Sequence, residues 1–182
     1  MFTSSEIEHS PLRGLMERLR DTLESEAIPN VLFDVRNDSD ALFSHFQIDL
    51  KGVQDMQLIE LATRPFHRKF VNSLAKCIEE DAALTYGDKE RWKSVKETGT
   101  RLFDPNVGGS YDVFNARPLS EAIKIYSVQD VVYLPTLWGT YSRKLSKEWW
   151  AKVLQESQAR VALSQTATYQ SSRRHKALGP WR

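Results

Sequence analysis

Along the first third of the chain the apolar positions first keep a helical spacing and then close up into a short continuous run. Leu12, Leu15, Met16, Leu19 and Leu23 fall on one helical face, with Ser10 and Pro11 placed as N-cap and first helical residue, so residues 11–26 read as an amphipathic helix that Pro29 ends. Val31-Leu32-Phe33 and Val35 then form a β-prone run with Asp34 inside it, long enough for a buried strand and too short for a helix. Asp38 or Ser39 is placed to cap a following helix that carries Leu42, Phe43 and Phe46. Asp55 starts another through Leu58, Ile59, Leu61 and Ala62. A strand between helices predicts an α/β layer, and beyond it the pattern is helical almost throughout.

Residues 68–84 and 88–101 read as two helices, and 102–117 as a loop punctuated by Pro105, Gly108 and Gly109. Leu119 to Lys144, interrupted by Pro135, and Ser146 to Leu163 carry two more helical patterns. Their aromatic residues Tyr133, Trp138, Tyr141, Trp149 and Trp150 are expected as core anchors. The segment from Tyr169 to Arg182, rich in Ser, Gly and Pro, is expected to be unstructured. The organisation this predicts is one domain over residues 1–164 and a basic flexible tail over 165–182.

Composition adds three constraints. The chain has 182 residues with 41% hydrophobic content, enough for one sizeable core. No apolar run approaches the roughly 20 residues of a membrane span, and the first residues lack the basic-then-apolar order of a secretory signal, so an intracellular protein with no membrane partner is expected. The single cysteine, Cys77, sits beside Leu74, Ala75 and Ile78 and reads as a core thiol. The formal net charge of +1 is unevenly spread: residues 1–60 carry a balance of −7, and residues 122–182 one of +7. A basic end of this kind suits a polyanion, and Arg173, Arg174 and Lys176 beside Trp181 would suit a phosphate backbone with one stacked base, or a solvated tail.

Asp38 and Asp130 each lie beside an apolar segment that can hold a carboxylate rigidly. Tyr126 precedes Asp130 by four residues, which on a helix places phenol and carboxylate on one face. Phosphodiester hydrolysis by two divalent ions needs several carboxylates converging to hold them, one ion generating hydroxide and the other stabilising the leaving oxygen, and hard oxygen ligands imply Mg²⁺ or Mn²⁺.

Two ordered blocks make this specific. Asp34-Val35-Arg36-Asn37-Asp38-Ser39-Asp40-Ala41-Leu42, followed by Ile48, Leu50, Val53, Asp55 and Gln57, is similar to the second motif of the 3′-5′ exonuclease domain of the RNase D and Werner-type group. Tyr126-x-x-x-Asp130-Val131, followed by Leu134-Pro135-x-Leu137-Trp138, is similar to the third motif of the branch that carries tyrosine there. Gly108-Gly109-Ser110-Tyr111, Phe114-Asn115-x-Arg117-Pro118, Arg160 to Gln165 and Lys176 to Trp181 resemble fungal members of the Egalitarian-like kind.

The resemblance implies an RNase H-like α/β fold, here incomplete, without its first strands and therefore predominantly helical. It implies a two-metal Mg²⁺ or Mn²⁺ site acting on single-stranded RNA or DNA ends. Asp38 matches the second-motif carboxylate and a metal ligand, Asp130 the third-motif metal ligand, and Tyr126 the residue that positions the attacking water. The first motif, an Asp-x-Glu pair on a strand, has no counterpart. Glu6-x-Glu8 and Glu24-x-Glu26 are not on strands, and Asp88-Lys89-Glu90 follows the second motif on a polar helix. Asn30 stands where relatives often carry lysine. The expectation is a chain of the exonuclease family that is inactive or incomplete as this polypeptide, with a protein partner to cover the open sheet edge. The alternatives are a non-catalytic nucleic-acid-binding or adaptor protein on the same scaffold, and a remnant without activity.

Overall fold

The computed structural model describes residues 11–171 and 174–181, and these divide into two compact units, Met1–Val71 with Leu145–Arg182 and Asn72–Lys144. In the first unit the elements are α1 (Pro11–Leu23), β1 (Asn30–Leu32), α2 (Arg36–Phe46), β2 (Val53–Asp55), α3 (Met56–Thr63) and, after the second unit, α8 (Lys147–Ser164). The strands pair in parallel with Asn30 opposite Val53, Val31 opposite Gln54 and Leu32 opposite Asp55. This is the only sheet among the described residues.

The helix α8 explains why so small a sheet is buried. Val153, Ser157, Arg160, Val161 and Ser164 form its buried stripe, and it packs on α2, β2 and α3. Val35, Leu50, Val53 and Val161 make a core cluster, joined by Leu23, Leu32 and Leu42. Asn30 is part of that construction. Its buried amide donates to the carbonyls of Leu23 and Lys51 at 3.2 and 2.7 Å, pinning the end of α1 and the approach to β2. Gly52 makes the approach feasible, because its φ of +60° is left-handed and a Cβ there would lie 2.4 Å from the Ile28 carbonyl oxygen.

Several local expectations are corrected. The strand stops at Leu32 rather than running to Val35, because Asp34 turns left-handed at φ +58°. Neither Asp38 nor Ser39 caps α2: Val35 holds the N-cap position without a side-chain cap, while Asp38 lies in the first turn and Ser39 is buried behind it. The apolar face of α1 keeps Leu15, Met16 and Leu19 exposed while Leu23 joins the core, and the side chain of Leu12 lies outside the described residues. Ser10, the expected cap of α1, lies outside the described residues.

The second unit contains α4 (Leu74–Asp81), α5 (Tyr86–Phe103), α6 (Glu121–Gln129) and α7 (Leu134–Ser142), opened respectively by Ser73, Thr85 and Ser120 as side-chain caps and by Pro135 in the first turn. Residues expected as a plain loop after Leu102 fold into two short 3₁₀ turns, Pro105–Val107 and Tyr111–Phe114. Cys77 is buried, as expected, with Ile78, Trp92, Ile123, Leu137 and Tyr141 among the other buried side chains. Of the five aromatic anchors expected, Tyr141 alone is fully buried, and its hydroxyl donates to Asp81 at 2.6 Å. Burial, followed by that bond, pushes the Tyr141 phenol far above its ordinary range, so it stays a proton donor.

Residues 174–181, expected within a flexible tail, are tied to the first unit. Phe70 and Leu178 form an antiparallel bridge, the Val71 and Gly179 amides donate to the carbonyls of Ala177 and Lys69, and the Trp181 ring meets Trp149 edge-on at 5.2 Å. Backbone pairing and an aromatic contact supply what composition alone could not reveal.

Candidate functional site

Asp55 organises the second-motif segment. It is fully buried, and its two carboxylate oxygens accept from the amides of Asp34, Val35 and Gln57 at 3.0, 3.2 and 3.0 Å and from Arg160 Nη1 at 2.8 Å. One carboxylate thus caps α3 and also holds the amides of Asp34 and Val35 at the entry to α2. Arg160, equally buried, also donates to Gln57 and lies 3.5 Å from Asp34, while Arg36 Nε donates to Asp34 at 2.5 Å. Two arginines and two aspartates therefore balance around the left-handed Asp34, whose backbone strain this network holds in place.

This network presents Asp38 in the first turn of α2, exposed to solvent. Desolvation by the surrounding protein, then the charges of Asp34 and Asp55, raise its carboxyl above the ordinary range, with Lys176 pulling the other way. Lys176 reaches Asn37, next to Asp38: its Nζ donates to Asn37 Oδ1 at 2.5 Å, to Tyr169 Oη at 3.0 Å and to the Ser171 carbonyl at 3.1 Å. Tyr169 itself donates to Asn37 Oδ1 at 2.7 Å, and Arg36 Nη2 donates to the Lys176 carbonyl at 2.9 Å. The Lys176 ammonium is thus engaged within the protein. Arg173 and the side chain of Arg174 lie outside the described residues.

The third-motif pair belongs to the second unit. Tyr126 is on α6 and Asp130 is its C-cap residue, one turn further along the same face. That face packs on α5, where Lys96, Gly99 and Phe103 recur at the three- and four-residue spacing of one helical stripe. Gly99 admits the phenol, since a Cβ there would stand 2.2 Å from Tyr126 Cδ2. Phe103 packs on the Tyr126 ring at 5.1 Å, and Lys96 Nζ lies 4.1 Å from its centroid while pairing with Asp130 Oδ1. Burial, then the charge on Asp130, raises the Tyr126 phenol, which keeps its proton near neutral pH. Phe114 and Tyr111 extend the aromatic cluster from the 3₁₀ turn onto Phe103.

Sequence reasoning missed Lys96, Arg160 and Asp55 as site-building residues. The stripe Lys96-x-x-Gly99-x-x-x-Phe103 was readable as one helical face, but nothing local signals its partner on α6. Arg160 and Asp55 are 105 residues apart.

The donor set can be compared with a two-metal centre, which needs several carboxylates converging on the ions. An oxygen of Asp130 is already engaged by Lys96, and among the described residues no three His, Cys, Asp or Glu side chains cluster as metal ligands. The described residues do not supply such a centre. Glu6 and Glu8 lie outside them, and Asp88 is engaged at the start of α5, where Thr85 Oγ1 donates to its carboxylate at 2.7 Å.

The 3′-5′ exonuclease family model matches residues 3–146, a span that includes Asp38, Tyr126 and Asp130. Among solved structures, Trypanosoma brucei RNase D bound to GMP is similar over 90% of this chain and 47% of that one, with a TM-score of 0.64 and 18% identity. Trypanosoma brucei RNase D alone gives a TM-score of 0.65 at 16% identity, covering 90% of this chain and 54% of that one. The same protein with RNA U12 gives 0.63 at 18% identity, covering 93% and 58%. The chain therefore spans about half the length of these solved proteins. Comparison with curated proteins finds no match. The fold is the RNase H-like α/β fold of these exonucleases, predominantly helical here, and the chain belongs to the 3′-5′ exonuclease family.

Proposed function

We propose that this chain is part of an RNase D-like 3′-5′ exonuclease of the tyrosine-bearing branch, of the fungal Egalitarian-like kind, with single-stranded RNA or DNA ends as its substrates. The observation that carries the reading is the family match over residues 3–146, which takes in the second- and third-motif positions in order. The RNA U12 bound by Trypanosoma brucei RNase D supports the nucleic-acid class. Asp38 and Asp130 would be the ligands to Mg²⁺ or Mn²⁺ in a complete family site. Tyr126, held as a protonated phenol against α5, would orient the attacking water. With no first-motif pair in these 182 residues, the polypeptide by itself is expected to hydrolyse weakly or not at all.

The test is an end-labelled single strand incubated with the purified chain and Mg²⁺ or Mn²⁺. An intact label distribution is expected. Stepwise shortening from the 3′ end that Asp130→Asn abolishes would show that the polypeptide is active on its own.

A second reading, a nucleic-acid-binding or adaptor protein on the same scaffold, is favoured by the balance of +7 over residues 122–182. It predicts sequence-tolerant binding whose affinity falls steeply with salt and weakens when Arg173, Arg174 and Lys176 are neutralised together. Pairing of β1 with β2 alone among the described residues also suits a protein partner that adds a strand to the free edge of β1.

A further inference from the structure

The side chain that faces Asp130 is a fixed cation. Lys96 reaches Asp130 from α5, its side chain is 21% exposed, and the ammonium is held on two sides, by the Asp130 carboxylate and by the face of the Tyr126 ring at 4.1 Å. The Tyr126 ring is in turn fixed by Phe103 and by the absence of a side chain at Gly99, so the Lys96 site is shaped by its surroundings rather than by chance approach on a free surface. We propose that Lys96 is the built-in counter-cation of Asp130, engaging one of its two oxygens, so that in this polypeptide by itself Asp130 holds no divalent ion. The proposal rests on the reading of Asp130 as the third-motif carboxylate.

Two physical points support it. A divalent ion approaching the paired oxygen meets a like charge at hydrogen-bond range, and displacing the lysine would also give up its contact with the Tyr126 ring. Among the described residues no three His, Cys, Asp or Glu side chains form a group that could hold a metal ion. The organisation of the face also has a use without a metal. The Lys96–Asp130 pair and the Tyr126 ring form one charge-balanced surface, in which the cation that neutralises the carboxylate comes from α5 and does not depend on ion concentration.

The experiment is a Mn²⁺ titration of the full chain, with free ion counted by electron paramagnetic resonance, in the wild type, Asp130→Asn, Lys96→Met and the double variant. Wild type and Asp130→Asn are expected to agree within about twofold, whereas Lys96→Met gains affinity by about fivefold or more and the double variant loses that gain. A several-fold loss of Mn²⁺ affinity in Asp130→Asn would overturn the proposal, since Asp130 would then already be a ligand. An unchanged Lys96→Met would overturn it too, because the lysine would not be what keeps the ion away. Should Lys96→Met fail to fold, the wild type against Asp130→Asn still decides the matter. Ion counting does not involve hydrolysis, so failure here is separate from failure of the exonuclease reading, which labelled-strand digestion tests.

Discussion

The second- and third-motif segments carry one candidate carboxylate each and are supported in opposite ways. The segment leading to Asp38 stands on a buried hub in which Asp55 is 0% and Arg160 4% exposed and nearly every polar atom of Asp55 has a partner. The Asp130 segment stands on a helix-to-helix face with a half-exposed carboxylate, one lysine and an aromatic ring. Buried ionic networks fix geometry because breaking them leaves a charge without water. A pair at the surface can be exchanged at small cost, which leaves the identity of its cation open to the sequence. The Asp38 segment is thus fixed from within the core by Asp55 and Arg160, and Asp130 is held at a half-exposed face by Lys96, which the Tyr126 ring positions.

The largest expected effect breaks the buried side of this contrast. Arg160→Met should leave the Asp55 carboxylate buried and uncompensated, lowering stability by about 3–5 kcal/mol in guanidinium unfolding. Gly99→Ala attacks the other segment by packing instead of charge. Its Cβ would meet the Tyr126 ring at 2.2 Å, and the ring is backed by Phe103. The overpacking cost of about 1–3 kcal/mol should outweigh the ~1 kcal/mol that alanine ordinarily gains over glycine inside a helix. The variant should unfold at lower denaturant, with altered Tyr126 ring resonances. Lys96→Met removes only the half-exposed pair and should cost about 0.2–1 kcal/mol in the same unfolding experiment.

The last prediction sharpens the comparison by sign. Because the folded protein raises the Asp38 carboxyl, it holds that proton more tightly than the unfolded chain does. The favourable contribution is complete below the unfolded value, near about 3.9, and is lost as pH rises through the raised folded value. Because Asp38 is exposed and solvent screens the effect, Asp38→Asn should be only slightly more stable than the wild type at pH 7 and show no such gain at pH 3, as thermal melts at the two pH values would reveal. A carboxylate kept where it costs stability is what a functional position in the second motif would look like.

Much of the helical framework was legible in the chain. Helices expected over 68–84, 88–101 and Ser146 to Leu163 lie at Leu74–Asp81, Tyr86–Phe103 and Lys147–Ser164, and the pattern from Leu119 to Lys144 divides into α6 and α7, while Asp55 starts α3 as expected. The left-handed turn at Asp34 was not legible, since one of the arginines that pair with it, Arg160, lies far along the chain and the Asp55 carboxylate that accepts from its amide lies on β2. For the same reason the strand was read too long and the cap of α2 was assigned to Asp38 or Ser39, whereas the acceptor is a carboxylate on β2. In the candidate site the sequence carries the residues that the motifs share, Asp38, Tyr126 and Asp130. It cannot display what faces them. Lys96 becomes visible only when α5 and α6 pack, and the docking of residues 176–181 only when Phe70 and Leu178 meet.

The central claim, that one carboxylate segment is locked by buried charge and the other held by one half-exposed ion pair of small energetic weight, is tested most directly by two double-mutant cycles in guanidinium unfolding. One couples Arg160→Met with Asp55→Asn, the other Lys96→Met with Asp130→Asn. The account predicts a coupling of about 2–3 kcal/mol for the first pair and about 0.5 kcal/mol or less for the second. Equal couplings, or a larger one between Lys96 and Asp130, would contradict it.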